Sequence, residues 1–184
     1  MRLGKMAAGL TLLLGALAAN AGEPDKTLAA LAFPKEQWPA GLAPAKLPEE
    51  MTQYGVSAVP FVSDNRELIG SIAGKALVGL PGESVEQVML AAYHADAGAA
   101  GSPELGVIAF RFADLDAASK GGDVLKAQIQ KDSPKLGASL FRRERIVAVL
   151  FNDGAEAPLF GAYEKHITGV LGERVFFHQT PAGK

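Results

Sequence analysis

Apolar and polar residues alternate along two neighbouring stretches of the chain, residues 86–96 and 104–114. A period of two residues is that of a β-strand, whose successive side chains point to opposite faces of a sheet. The residues between the two stretches, AGAAGSP, are small or turn-forming. The pattern predicts an antiparallel hairpin.

A second hairpin is predicted further along the chain, with strands at residues 138–142 and 145–151. We place its turn at Arg143 and Glu144. With that turn, Arg142 and Arg145 would face one another across the ladder, where like charges repel. A last short strand is predicted in RVFFHQ, near the end of the chain.

Residues 64–77 have the 3.6-residue period of an amphipathic helix. Asp64, followed three residues later by Glu67, fits a capping box with Asp in place of Ser or Thr. We therefore expect this helix to start at residues 64–66.

The same segment contains GSIAGKA, which shares two glycines and a lysine with a phosphate-binding loop. That loop has four residues between its glycines, ends in Lys-Ser or Lys-Thr, and lies between a strand and a helix. Here three residues separate Gly70 from Gly74, and Ala76 follows Lys75. We therefore expect no nucleotide site; the glycines would let another element approach closely, and Lys75 would face solvent.

A second helix is predicted over residues 114–130, with Asp114 as its N-cap. Gly121 and Gly122 mark a point where it could be interrupted. We expect its inward-facing residues to be Ala118, Leu125 and Ile129.

A third helix is predicted over residues 156–172. Pro158 suits its first turn and Gly172 its end. We expect its buried stripe to consist of Leu159, Tyr163, Ile167 and Val170.

The order of elements is helix, hairpin, helix, hairpin, helix and strand. Strand pairs separated by helices favour an α+β fold. We expect one largely antiparallel sheet built from two hairpins, with helices packed on one face, in a single domain over residues 59–180.

The first 21 residues have the organisation of a secretory signal peptide. Arg2 and Lys5 precede an apolar run over residues 6–18, which is too short to span a bilayer comfortably. An A-x-A cleavage site follows at residues 19–21. We expect cleavage after Ala21, a location in the periplasm or outside the cell, and no membrane attachment afterwards.

Composition narrows the function classes further. The chain has no cysteine, so disulfides and thiolate chemistry are excluded. Cleavage of the leader would remove two of the 18 basic residues, and all 20 acidic residues would remain. The mature protein would then be acidic, and an acidic protein is not expected to bind nucleic acid. Recurrent prolines predict a mostly extended segment over residues 22–58, with a short helix near residues 25–32 and Phe33 and Trp38 as anchors onto the core.

The segments ELIGSIAGKALVGLPG, VMLAAYHAD and ELGVIAFRFADLDAA together resemble an uncharacterised family of exported bacterial proteins. The resemblance covers residues 65 to about 125 and departs from the family at Lys75 and Leu77, where acidic and aromatic residues are usual. It implies the fold and an exported location, and it assigns no catalytic residue. The matching positions are Ile72, Gly74, Ala76, Tyr93, Arg111, Phe112, Ala113 and Ala117.

Candidate catalytic residues are scattered. His94, His166 and His178 lack the spacing of a metal motif, and we expect neither a metal nor a cofactor. Asp114 and Asp116 lie at a helix start, where capping accounts for them. A histidine and carboxylates could still meet in space, so a small carboxylate- and histidine-dependent hydrolase remains the alternative function.

Arg142, Arg143 and Arg145 form the one cluster of basic residues that indicates binding. Guanidinium groups bind carboxylates and phosphates in a bidentate fork. We expect an anionic ligand or an acidic protein partner at this turn; a solvated turn with screened charges is the alternative. The sequence thus favours an exported, non-enzymatic binding or accessory domain.

Overall fold

A computed structural model describes residues 25–73, 79–94, 105–132, 137–172 and 177–179. The predicted leader, and Gly74 to Leu77 of the predicted first helix, lie outside these residues. The strands are β1 (Ala43–Pro44), β2 (Phe61–Ser63), β3 (Val85–His94), β4 (Leu105–Phe112), β5 (Gly137–Arg143), β6 (Ile146–Asn152) and β7 (Phe177–Gln179). The α-helices are α1 (Lys26–Ala29), α2 (Arg66–Ser71), α3 (Leu115–Asp132) and α4 (Ala157–Leu171).

The strands form one antiparallel sheet in the order β1-β3-β4-β6-β5-β7, and β2 pairs with β3 beside β1. Both predicted hairpins are confirmed, because β3 pairs with β4 and β5 pairs with β6. The α+β class is confirmed with them. The short strands β1 and β2, which the alternation did not indicate, extend the sheet beyond β3.

Helices cover both faces of the sheet, so the expectation of helices on one face is wrong. The side chains of β6 alternate between two separate cores: Val147 and Val149 belong to one, Ala148 and Leu150 to the other. A strand buried on both faces is apolar at consecutive positions, as in the sequence IVAVLF of β6. Two apolar faces each need a covering layer.

The first face is covered by α2 and α3. Asp114 is confirmed as the N-cap of α3, since its Oδ1 accepts a hydrogen bond of 2.8 Å from Ala117 N. The helix continues through Gly121 and Gly122 without interruption. Ala118 and Leu125 are buried against the sheet, and Ile129 packs beside them half-buried.

The second face is covered by α4 and by residues 25–45, here called the N-terminal segment. Tyr163 and Ile167 of α4 are buried as expected. Leu159 and Val170 are only half-buried; Phe160 and Leu171 complete the stripe instead. Gly172 ends the helix in the left-handed conformation, at φ 65°.

The N-terminal segment is anchored by aromatic contacts, and the roles predicted for Phe33 and Trp38 are confirmed. The Phe33 ring stacks on Tyr163 with centroids 4.8 Å apart, and Phe33 N donates to the Tyr93 hydroxyl at 3.0 Å. Trp38 Nε1 donates to the Phe33 carbonyl at 2.9 Å. The segment thereby joins the same core as α4.

The start of α2 is capped by Asn65 rather than by Asp64. Asn65 Oδ1 accepts from the backbone N of Glu67 at 2.9 Å and of Leu68 at 3.1 Å. Gly70 leaves open space where a side chain would lie, so close packing does not explain it. None of the helices in the described ranges has the length and apolar character needed to cross a bilayer.

Candidate functional site

The turn that carries Arg142, Arg143 and Arg145, here called the arginine turn, lies one residue later in the chain than predicted. Arg142 pairs with Val147 and Arg143 with Ile146, so the turn consists of Glu144 and Arg145. Glu144 has φ 49°, in the left-handed region. Arg142 and Arg145 therefore do not face one another, and the strand alternation sends Arg142 and Arg143 to opposite faces.

Each of the three arginines contacts a different part of the fold. Arg142 donates from Nη1 to Ser119 Oγ of α3 at 3.1 Å. Arg143 donates to the carbonyl of Val170 in α4 at 3.3 Å. Arg145 Nη1 donates to the Ala113 carbonyl at 2.9 Å and lies 3.2 Å from a Glu86 oxygen. The guanidinium groups do not converge on one ligand position.

Arg145 belongs instead to a charge network that ties the N-terminal segment to the sheet. Glu86 also pairs with Arg111, which contacts Asp25, the N-cap of α1. Burial alone would raise the pKa of Asp25, but hydrogen bonds from Leu28 N and Thr27 N and the charge of Arg111 outweigh it, and the pKa lies below its ordinary value. Structural pairing accounts for these charges without a ligand.

The two histidines whose side chains the structure describes, His94 and His166, lie in different parts of the fold. His94 is 8% exposed at the end of β3, and its Nδ1 has no hydrogen-bond partner among the described residues. His166 lies on α4, and its Nε2 bonds to the Ala30 carbonyl at 2.8 Å. The side chain of His178 lies outside the described residues. Within the described part of the chain, no three histidine or carboxylate residues could share a metal ion.

A buried hydroxyl, of Ser139, and a half-buried carboxylate, of Glu164, meet between β5 and α4. Ser139 Oγ donates to Glu164 Oε1 at 2.5 Å, and the ladder places His178 opposite Ser139. Ser139 is 0% exposed, however, so a substrate cannot reach its oxygen. Burial also raises the pKa of the Tyr163 hydroxyl, which lies beside Tyr93, well above its ordinary value and keeps that group protonated. We interpret the hydrogen bond between Ser139 and Glu164 as a structural contact that holds α4 against β5.

An open groove of about 550 Å³ lies between the outer side of α4 and the 3-10 turn Lys35–Gln37 of the N-terminal segment. We call it the α4 groove. Its polar side chains are Lys165, His166 and Gln37, and its apolar part is formed by Ala162, Gly169 and Val170. An added Cβ at Gly169 would meet nothing within 4 Å, so the space beside this position is open.

The electrostatics of the α4 groove favour an anion. Among the described residues, its lining includes an ammonium and an imidazole and no carboxylate. Since the Ala30 carbonyl can only accept, His166 Nε2 donates the hydrogen bond that joins them. Arg143, bonded to the Val170 carbonyl, places a further positive charge at the C-terminal end of α4.

A smaller cleft of about 220 Å³ separates α1 from β2. It is lined by Ala29, Pro60, Phe61, Val62 and Met89. None of these lining side chains is polar, so they offer no group to orient a ligand. The α4 groove is the better candidate for recognition.

Sequence reasoning missed the α4 groove because its two walls are far apart in the chain. Gln37 lies in the N-terminal segment and Lys165 in α4, and only the docking of the segment brings them together. The available signal was the set of exposed residues at Ala162, Lys165 and Gly169, which follows the outer side of the predicted helix. That set does not identify its partner.

Comparison with protein-family models, with curated proteins and with solved structures finds no match to this chain.

Proposed function

We propose that this chain is an exported, non-enzymatic binding domain that takes an anionic ligand in the α4 groove. The observation that carries the proposal is the set of groove residues: Lys165, His166 and the amide of Gln37 line one open cavity, and none of its described lining residues is a carboxylate. Its volume of about 550 Å³ falls within the range of ligand pockets, roughly 300–1,000 Å³. The exported location rests on the leader pattern and on the family resemblance of residues 65–125.

The arginine turn is not part of this proposal. Its three guanidinium groups form hydrogen bonds to separate parts of the fold, so they do not form one anion-binding site. Arg143 contributes only through its position at the end of α4. The expectation of an anionic partner thus moves from the turn to the groove.

The hydrolase alternative has less support. Its best candidate group, Ser139, is enclosed and already donates to Glu164. A catalytic nucleophile needs access to its substrate and a base within hydrogen-bond reach. We therefore favour binding over catalysis.

An NMR titration with inorganic phosphate, citrate, hexanoate and a hexa-glutamate peptide tests the proposal. At least one of these anions should shift the amide signals of Gln37 and of residues 162–170, and Lys165→Gln should weaken that binding about fivefold or more. Lys131→Gln, an exposed lysine of α3, is the matched control and should leave binding unchanged. Anion binding that survives Lys165→Gln, or its absence with every probe, contradicts the proposal.

A further inference from the structure

We propose that the ligand of the α4 groove is a small organic monocarboxylate with an apolar body, held across the contact between the N-terminal segment and α4. This inference rests on the proposed function and specifies its ligand. It follows from the charge, the shape and the position of the groove residues.

The charge of the groove suits a single negative group. One ammonium, one imidazole and one amide line the cavity, and no arginine is among the lining residues that the structure describes. Phosphate sites commonly use arginine forks or the backbone N–H groups of a helix N-terminus. A carboxylate can be held by Lys165 and Gln37 alone, as one charge and one additional donor.

The position along α4 also disfavours a multiply charged ligand. The groove follows residues 162–170, the C-terminal half of the helix, where the helix dipole is negative. Arg143 offsets part of this field through the Val170 carbonyl. A single lysine against this negative end of the helix dipole favours one singly charged group over a phosphate dianion.

The apolar part of the groove calls for a hydrocarbon body. Ala162, Gly169 and Val170 form a surface without polar side chains beside Lys165. The open space at Gly169 gives the ligand access to this surface. Burying methylene groups there adds affinity, about threefold to fourfold for each group removed from water.

The two walls of the groove belong to separate elements, so ligand binding is coupled to the docking of the N-terminal segment on α4. Gln37 belongs to the N-terminal segment, while Lys165 and His166 belong to α4. His166 already links the two through the Ala30 carbonyl. A ligand that touches both walls binds the docked segment better than an undocked one, so its binding must stabilise docking.

The test compares butyrate, hexanoate, hexanamide and inorganic phosphate in the same NMR titration. Hexanoate should bind about tenfold more tightly than butyrate, and more tightly than hexanamide and phosphate by at least that factor. Saturating hexanoate should also slow hydrogen exchange at the amides of residues 28–38. Gly169→Leu should fill the groove and abolish hexanoate binding, whereas Gly161→Leu, at another exposed glycine of α4, should leave it intact.

The outcomes separate the two proposals. If phosphate, citrate or the acidic peptide binds in the groove and hexanoate does not, the monocarboxylate is wrong and the anion-binding function stands. If hexanamide binds as tightly as hexanoate, or if Gly169→Leu leaves hexanoate binding intact, the monocarboxylate site is overturned. If no anion binds, both proposals fail together.

Discussion

At the scale of single residues, Asp25 combines a local and a long-range role. Its carboxylate caps α1 by accepting from Thr27 N at 2.7 Å and from Leu28 N at 3.2 Å, and it also pairs with Arg111 of β4. These contacts favour the ionised form, which lowers the pKa of Asp25 despite its burial. Folding is therefore linked to the ionisation of this group.

Asp25→Asn should keep the cap and remove the ion pair, because asparagine caps helices about as well as aspartate. We expect a loss of roughly 1 kcal/mol of unfolding free energy at pH 7. Because the folded pKa lies below the unfolded value of about 3.9, this contribution is present above that value and is lost as the pH falls through the folded pKa.

Urea unfolding between pH 7 and pH 3 measures this linkage. The difference between the parent and Asp25→Asn should shrink as the pH falls. Asp116→Asn is the control, since Asp116 is exposed and forms its ion pair with Lys120, one turn along α3. A difference that stays constant over the whole pH range would show that Asp25 is not linked to folding.

At the scale of elements, the packing of α3 on β4 depends on a missing side chain. A Cβ at Gly121 would collide with the ring of Phe112, whereas one at Gly161 of α4 would meet nothing within 4 Å. The two glycines sit in the same kind of helix and differ only in what lies beside them. The close packing of α3 therefore explains Gly121 and leaves Gly161 unexplained.

Gly121→Ala should destabilise the protein by about 1–3 kcal/mol through overpacking against Phe112. Gly161→Ala should stabilise it by about 0.5–1 kcal/mol, because alanine is the better helix former and has room there. Thermal and denaturant unfolding of the two variants measures both effects. Effects of the same sign would show that α3 can move away from the sheet at little cost.

The turn between β5 and β6 shows why element boundaries were predicted less well than elements. Two-residue hairpin turns usually carry glycine, asparagine or aspartate where φ is positive. The segment RRER contains none of these, and the left-handed position falls on Glu144. Periodicity therefore identified the hairpin, while nothing in the composition fixed its register.

At the scale of the whole molecule, the sequence predicted the elements better than their layers. The order of strands and helices and the anchoring residues Phe33 and Trp38 followed from periodicity and composition. The second covered face of the sheet was not predicted, although the consecutive buried residues of β6 indicate that both faces are covered. The α4 groove was beyond prediction because it depends on how the N-terminal segment docks.

If the chain is exported as we propose, the mature protein should begin at Gly22, shortly before the cap of α1. Intact-mass analysis of the exported protein measures this. Ala21→Leu should block processing, because signal peptidase requires a small residue there, whereas Asn20→Gln should not. Retention of residues 1–21 in the mature protein would argue for an anchored form.

The docking of the N-terminal segment also constrains the timing of folding. The Ala30 carbonyl and His166 are 136 residues apart in the chain, and Phe33 stacks on Tyr163 at a similar separation. The contacts of the segment with α4 can therefore form only when α4, almost the last of the described elements in the chain, is in place. Contacts of such long range slow folding, and until they form, Leu28, Leu31 and Phe33 remain available to chaperones or to aggregation.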